Sequence, residues 1–349
     1  MKKNLLLLFV LIVLAVVSFI IWKQNTNSTL ANKPLSDFTI EDTARVNKIV
    51  ISDMQGGRAV LERIPGNTLW LLNGKYFARK DATDLLLKTM NRIRVRGNVS
   101  EKGRDNMMKL LITSSKKVEI YMGENEPAKI YYVGNATEDH TGTMMLLEIP
   151  GIGRSEDPYI THMEGFTGFL TTRFFTSEME WRYTGIFEYP ALDINRVRMI
   201  NHNNTNYSFE VNYTGGNNIS MNTGYIADNN TFSLPVKTFD TLAVKDFLLK
   251  FKKAHVESYN TLLRPEAMDS LRNTKPAFTI YVRENSGTEK HIDLYLKRAS
   301  KLTYDEAGNP FPWDRDYFYA RTDADEFAMA QMYTFEPMVQ PFDYYAGSR

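Results

Sequence analysis

The residues able to do chemistry in this 349-residue chain are few and scattered. A metal site needs ligands that converge, and the five histidines, His140, His162, His202, His255 and His291, contain no HExxH pair. His162-x-Glu164 and Asp139-His140 are the best local candidates, and both are poor ones. Asp314, Asp316, Asp323, Asp325 and Glu326 offer the oxygens that calcium takes, but without the central Gly and closing Glu of an EF-hand loop. Asp323 and Asp325 ahead of Phe327 suit the start of a helix instead. Gly153-Arg154-Ser155-Glu156-Asp157 lacks the second glycine of a nucleophile elbow. Gly151-x-Gly153 stops short of a dinucleotide fingerprint, and no Walker sequence occurs. The chain has no cysteine, which removes thiolate nucleophiles, disulfides and Cys-based zinc sites together. No catalytic, cofactor-binding or metal residue is assigned, and the chain reads as non-enzymatic. Aspartate and glutamate are the only abundant acid-base residues, so a hydrolase using paired carboxylates is the enzymatic alternative.

Binding chemistry is better represented. Aromatic residues make up 12%, with 19 Tyr and 20 Phe, some concentrated in Pro310-Phe311-Pro312-Trp313 and Tyr317-Phe318-Tyr319. Rings with polar neighbours suit protein interfaces and sugar faces. Because Trp and Arg are enriched at hot spots, Arg173, Trp181 and Arg182, with Trp313, form the candidate interface. Two kinds of binding are therefore weighed, contact with a protein partner and, as the alternative, a glycan-binding module. Lys and Arg total 42 against 41 Asp and Glu, so there is no cationic excess for nucleic acid.

The elements that must position these residues begin with an apolar run. Lys2 and Lys3 precede 18 residues, Leu5 to Trp22, in which only Ser18 is polar. Such a run predicts a transmembrane signal anchor over 1–22, with a cleaved signal peptide as the competing reading, and the flanking charge puts the N-terminus in the cytoplasm. The expected location is the inner (cytoplasmic) membrane, single-pass, with the body facing the periplasm. Residues 23–36, rich in Asn, Thr and Ser, read as a flexible linker.

The body shows an internal duplication. Val46-Asn47-Lys48-Ile49-Val50-Ile51 matches Ile194-Asn195-Arg196-Val197-Arg198-Met199, and both read as opening strands. Asp81 is placed to cap a helix carrying Leu86, Met90 and Ile93; Asp240 likewise precedes Val244, Phe247, Leu248 and Phe251. Alternating strands follow each helix, Val118 to Tyr121 and Phe278 to Tyr281. The expected fold is α+β: a transmembrane helix, then two duplicated strand-rich domains, each an antiparallel sheet with a packed helix. The first spans 37–149, a connector 150–190, and the second, with a C-terminal aromatic tail, 191–349.

Several short motifs add a family likeness: the N-terminal apolar run, the Val-x-x-Ile-x-Ile strand, Trp70 with Gly74-Lys75-Tyr76 and Ala78, Val118-Glu119-Ile120-Tyr121, Tyr131-Tyr132-Val133-Gly134 and Trp181-Arg182. Together they resemble the family called domain of unknown function 4340 over roughly residues 40–330. The resemblance implies a bacterial membrane-anchored protein, and because some members resemble companions of ABC transporters of the gliding-motility type, it implies an accessory or assembly subunit of a transporter or cell-envelope complex. It implies no catalytic residues.

Overall fold

The computed structural model describes residue 18 and residues 34–346, apart from 100, 260, 305 and 306. The chain divides into two units between Tyr183 and Thr184.

In the first unit Lys48–Ser52 (β1), Arg58–Arg63 (β2), Trp70–Leu72 (β3) and Tyr76–Phe77 (β4) form a meander. Lys80–Arg92 (α1), Ile93–Asn98 (β5) and Glu101–Ser114 (α2) come next. Lys116–Tyr121 (β6), Lys129–Ala136 (β7), Thr143–Ile149 (β8), Gly153–Arg154 (β9) and Tyr159–Met163 (β10) complete the strands, and Glu178–Trp181 (α3) ends the unit. Among the described residues the sheet order is β4-β3-β2-β1-β6-β7-β8-β10-β5, with β9 on β8.

The second unit opens with Gly185–Phe187 (β11), Ile194–Asn201 (β12), Phe209–Tyr213 (β13), Ile219–Ile226 (β14) and Thr231–Pro235 (β15). Thr241–Lys250 (α4), Ala254–His255 (β16) and Pro265–Arg272 (α5) lead to Phe278–Glu284 (β17), Glu289–Tyr304 (β18), Pro310–Thr322 (β19), Phe327–Gln331 (β20) and Met332–Phe335 (α6). Its large sheet has the order β15-β14-β13-β12-β17-β18-β19-β20, and β11 pairs β16 in a small separate sheet.

Both large sheets follow one plan. A meander is laid to one side of a central strand, β1 or β12; a helical crossing returns the chain; β6 or β17 then pairs antiparallel with that strand's other flank. Alternation along the strands makes this work. Ile49 and Ile51 of β1 and Val118 and Ile120 of β6 enter one core with Leu86 and Met90 of α1. Val197 and Met199 of β12 and Ile280 and Val282 of β17 enter another with Val244, Phe247 and Leu248 of α4. Asp240 caps α4, its Oδ1 accepting from the Leu242 and Ala243 amides at 2.9 and 3.0 Å. Asp81 does not cap α1: the N-cap is Arg79, and Asp81 lies in the first turn, paired to Arg79 at 2.9 Å.

The α+β class is corrected to a predominantly β protein with three antiparallel sheets. The physical reason is that short strands with little buried surface, such as β4, β5, β9 and β15, carry too few apolar residues to register as periodic runs. The transmembrane helix, the signal anchor and the single-pass inner-membrane placement are corrected too, since no helix among the described residues is long and apolar enough to cross a membrane. The long helices α1 and α2 have 13 and 14 residues, about 20 Å at 1.5 Å per residue, and both carry charges. Residues 1–22, the expected anchor, lie outside the described residues except for Ser18, as do 23–33 of the linker. The segment 150–190 is divided between structures: β10 belongs to the first sheet, Leu170, Phe174 and Trp181 to the first core, and Phe187 to the second.

Candidate functional site

The C-terminal segment builds an apolar cavity. Leaving β20, the chain turns through α6 and the short helices Glu336–Met338 and Phe342–Tyr344. Phe335, Met338 and Tyr345 are buried and hold the segment on the second unit. Tyr345 packs against Phe209 and Phe247, with ring centres 4.9 and 5.6 Å away, and its carbonyl accepts the Asp240 amide at 2.9 Å. Burial pushes its hydroxyl well above the usual tyrosine range. Between this segment and the sheet lies a cavity of about 330 Å³ whose apolar lining comes from Tyr207, Phe278, Leu296, Phe318, Met332 and Val339. Asn201, Glu336 and Gln340 add polar groups. Phe278 and Phe318 meet edge to face, 6.2 Å apart. Such a lining holds an apolar group by contact and fixes its orientation by a few hydrogen bonds.

The opposite face of the same sheet is polar. Arg198 of β12 is 7% exposed; it donates to Glu289 at 2.7 Å and to the Asn230 carbonyl at 3.0 Å, and stands 4.4 Å from the Tyr281 ring centre. His291 stacks on Tyr281 at 5.3 Å. Arg196 reaches Glu289 at 3.3 Å. Along the neighbouring row the buried Thr279 hydroxyl donates to Asp293 at 2.7 Å, so its oxygen accepts from Nε2 of His202, 2.9 Å away. Arg321 binds the other Asp293 oxygen at 2.8 Å. Burial, helped by Lys275, holds the His202 imidazole below its ordinary pKa, against the opposing pull of Asp293. This chain of contacts links strands and leaves Thr279 2% exposed, the position of a structural lock rather than of a nucleophile.

The candidate interface residues occupy other places. Trp181 is fully buried, with its indole N–H on the Phe175 carbonyl at 2.9 Å. Arg182 is 7% exposed, its guanidinium 3.9 Å from the Tyr76 ring centre. Arg173 bonds the Thr89 hydroxyl at 2.8 Å and covers the Phe166 ring at 4.1 Å. Trp313 belongs to the other unit, half-buried on β19 opposite Arg298. Within the first unit Trp181 and Arg182 thus serve as packing.

The suspected chemical residues are similarly engaged. Ser155 is buried and its hydroxyl accepts the Leu147 amide at 3.1 Å. Asp139 is tied to Thr137 and Thr141 in a turn, which lowers its pKa. Asp314 pairs with Lys297, and Asp325 with Arg272 at 2.9 Å. No cluster of metal-binding side chains occurs among the described residues. Sequence reasoning missed the cavity lining because its members lie between 201 and 341 and meet only through the sheet; the aromatic tail from Phe335 to Tyr345 was the available signal. Compared with known proteins, the chain matches no family, no curated protein and no solved structure.

Proposed function

We propose that the chain is a non-enzymatic binding subunit of a transporter or cell-envelope assembly, with the apolar cavity of the second unit as the socket for a partner's anchoring side chain. The observation that carries this is the cavity's make-up: about 330 Å³ faced by Phe278, Leu296, Phe318, Met332 and Val339. A socket of that kind receives an aromatic or branched aliphatic anchor, the usual centre of an interface hot spot. The exposed carboxylate of Glu336 favours an anchor with a lysine or arginine beside it. The short motifs resembling the 4340 family support the same assignment.

Sugar binding fits less well. A sugar stacks on a free aromatic face, whereas Tyr281 has Arg198 over its ring and His291 stacked on it. Carboxylate catalysis is likewise less supported, because Glu289 and Asp293 are engaged by arginines.

A cross-linked pull-down of the full-length chain, with proteins identified by mass spectrometry, tests the proposal against a Met332→Glu variant. Met332 is half-buried in the lining, and circular dichroism checks that the variant folds. Wild type should enrich transporter or envelope proteins, and the variant should capture about tenfold less. Background proteins alone with wild type would remove the assembly assignment; equal capture by both would remove the socket.

A further inference from the structure

A sheet edge presents unpaired backbone groups, and proteins ordinarily blunt such edges. Three of the four edges of the large sheets are managed in this way. β4 has two residues, and the next residue, Ala78, bridges Arg182. β5 carries Arg94 and Arg96, paired to Glu164 and Asp139. β20 is covered by residues 257 and 258, with Met329 N–H on the Ser258 carbonyl at 2.8 Å and Glu257 N–H on the Met329 carbonyl at 2.7 Å.

β15 differs. It pairs with β14 on one side, and among the described residues no strand pairs its other side. Its five residues, Thr231, Phe232, Ser233, Leu234 and Pro235, include no charge, and Leu234 is 58% exposed. Val236 N–H bonds the Met221 carbonyl at 2.9 Å, so alternation along the strand turns the backbone groups of Leu234 and Phe232 toward β14 and those of Thr231, Ser233 and Pro235 outward. Pro235 agrees with that phase, since proline sits in a strand where its nitrogen faces away from the ladder.

The geometry points to β15 of a second copy of this chain as the occupant, paired antiparallel about Ser233. In that register Ser233 exchanges both backbone hydrogen bonds with Ser233 of the second copy, and each Thr231 N–H meets a Pro235 carbonyl. The donor missing from proline leaves only the Thr231 carbonyls to water. Phe232 lies opposite Leu234 of the second copy, twice, an aromatic-aliphatic cross-strand pair that covers the exposed leucine. No like charges face each other. The segment is complementary to itself, which is what a twofold contact requires. This pairing is independent of the cavity proposed above.

A pairing of five residues is weak, so a covalent trap reads it best, and a chain without cysteine gives a clean background. In a hydrogen-bonded antiparallel pair the two Cα atoms lie about 5.5 Å apart, inside the roughly 4.4–6.8 Å span of disulfides. Full-length Ser233→Cys, mildly oxidised, should give a disulfide-linked dimer about tenfold more abundant than a Leu242→Cys control, whose site on α4 is 77% exposed. Adding Leu234→Lys to Ser233→Cys should abolish the dimer by placing a charge against Phe232. The proposal is overturned if Ser233→Cys stays monomeric, if the control dimerises equally, if Leu234→Lys has no effect, or if the thiol introduced by Ser233→Cys is captured by a different protein.

Discussion

His202 follows β12, where a neutral imidazole can donate to Thr279 while Thr279 donates to the buried Asp293. Burial works against protonating this ring, and Lys275 adds to the effect. The folded state therefore binds the proton less well than the unfolded chain, whose histidine titrates near 6.5. Stability should be intact above that pH and fall as the pH drops through 6.5 toward the depressed folded value, by up to about 1.4 kcal/mol for each pH unit between the two. Carboxylates with lowered pKa, such as Asp53 held by the Thr176 hydroxyl, lose their contribution only below their ordinary 3.8, so the two windows separate. Urea unfolding between pH 7 and 5 should show a slope in wild type that His202→Gln lacks; equal slopes would assign the loss to another group. Trp181 carries a different residue-scale lesson. Its type suited an interface, but a large ring whose N–H finds a carbonyl can also fill a core, and here it does.

At the scale of elements, α2 covers one face of the first sheet at a point where β7 has no side chain. A Cβ on Gly134 would lie 2.4 Å from Leu111 Cδ2 and 3.0 Å from the Met144 carbonyl, so the glycine provides the close approach. Leu111 is the buried residue of α2, and the helix depends on that contact for its seat. Gly134→Ala should cost about 1–3 kcal/mol by overpacking. Amides of Glu101–Ser114 should then exchange hydrogen faster, while Gly97→Ala, where a Cβ meets nothing within 4 Å, serves as the control. Unchanged exchange in α2 would show that Leu111 can move aside freely. Gly57 imposes a similar limit at the β1–β2 turn, where a Cβ would lie 2.5 Å from Asp53 Oδ2.

At the scale of the molecule, each unit has its own core, one drawn from Phe38 to Trp181 and the other from Phe187 to Tyr345. Separate cores predict separate unfolding. Phe247, 2% exposed, packs against Phe209, Phe251 and Tyr345. Phe247→Ala should destabilise the second unit by about 3–5 kcal/mol and leave the first unchanged. Scanning calorimetry should show one transition moving and another staying; a single transition that moves as a whole would show that the units unfold together.

Local order was legible where it follows from composition within a short window. The alternating strands at Ile49 and Ile51, at Val197 and Met199 and at Val118 and Ile120 could be read directly, because one side chain in two must enter a core. Asp240 could be read as a cap because its carboxylate needs only the next three residues. What the tertiary structure decided depends on residues far apart in the chain. The cavity joins Asn201 to Pro341, the polar row joins His202 to Thr279, Asp293 and Arg321, and β15 stands at an edge because among the described residues β14 is its one strand partner. Composition and periodicity carry no information about which strand lies beside which, and sheet pairing is the step that assigns each exposed or buried side chain its neighbours.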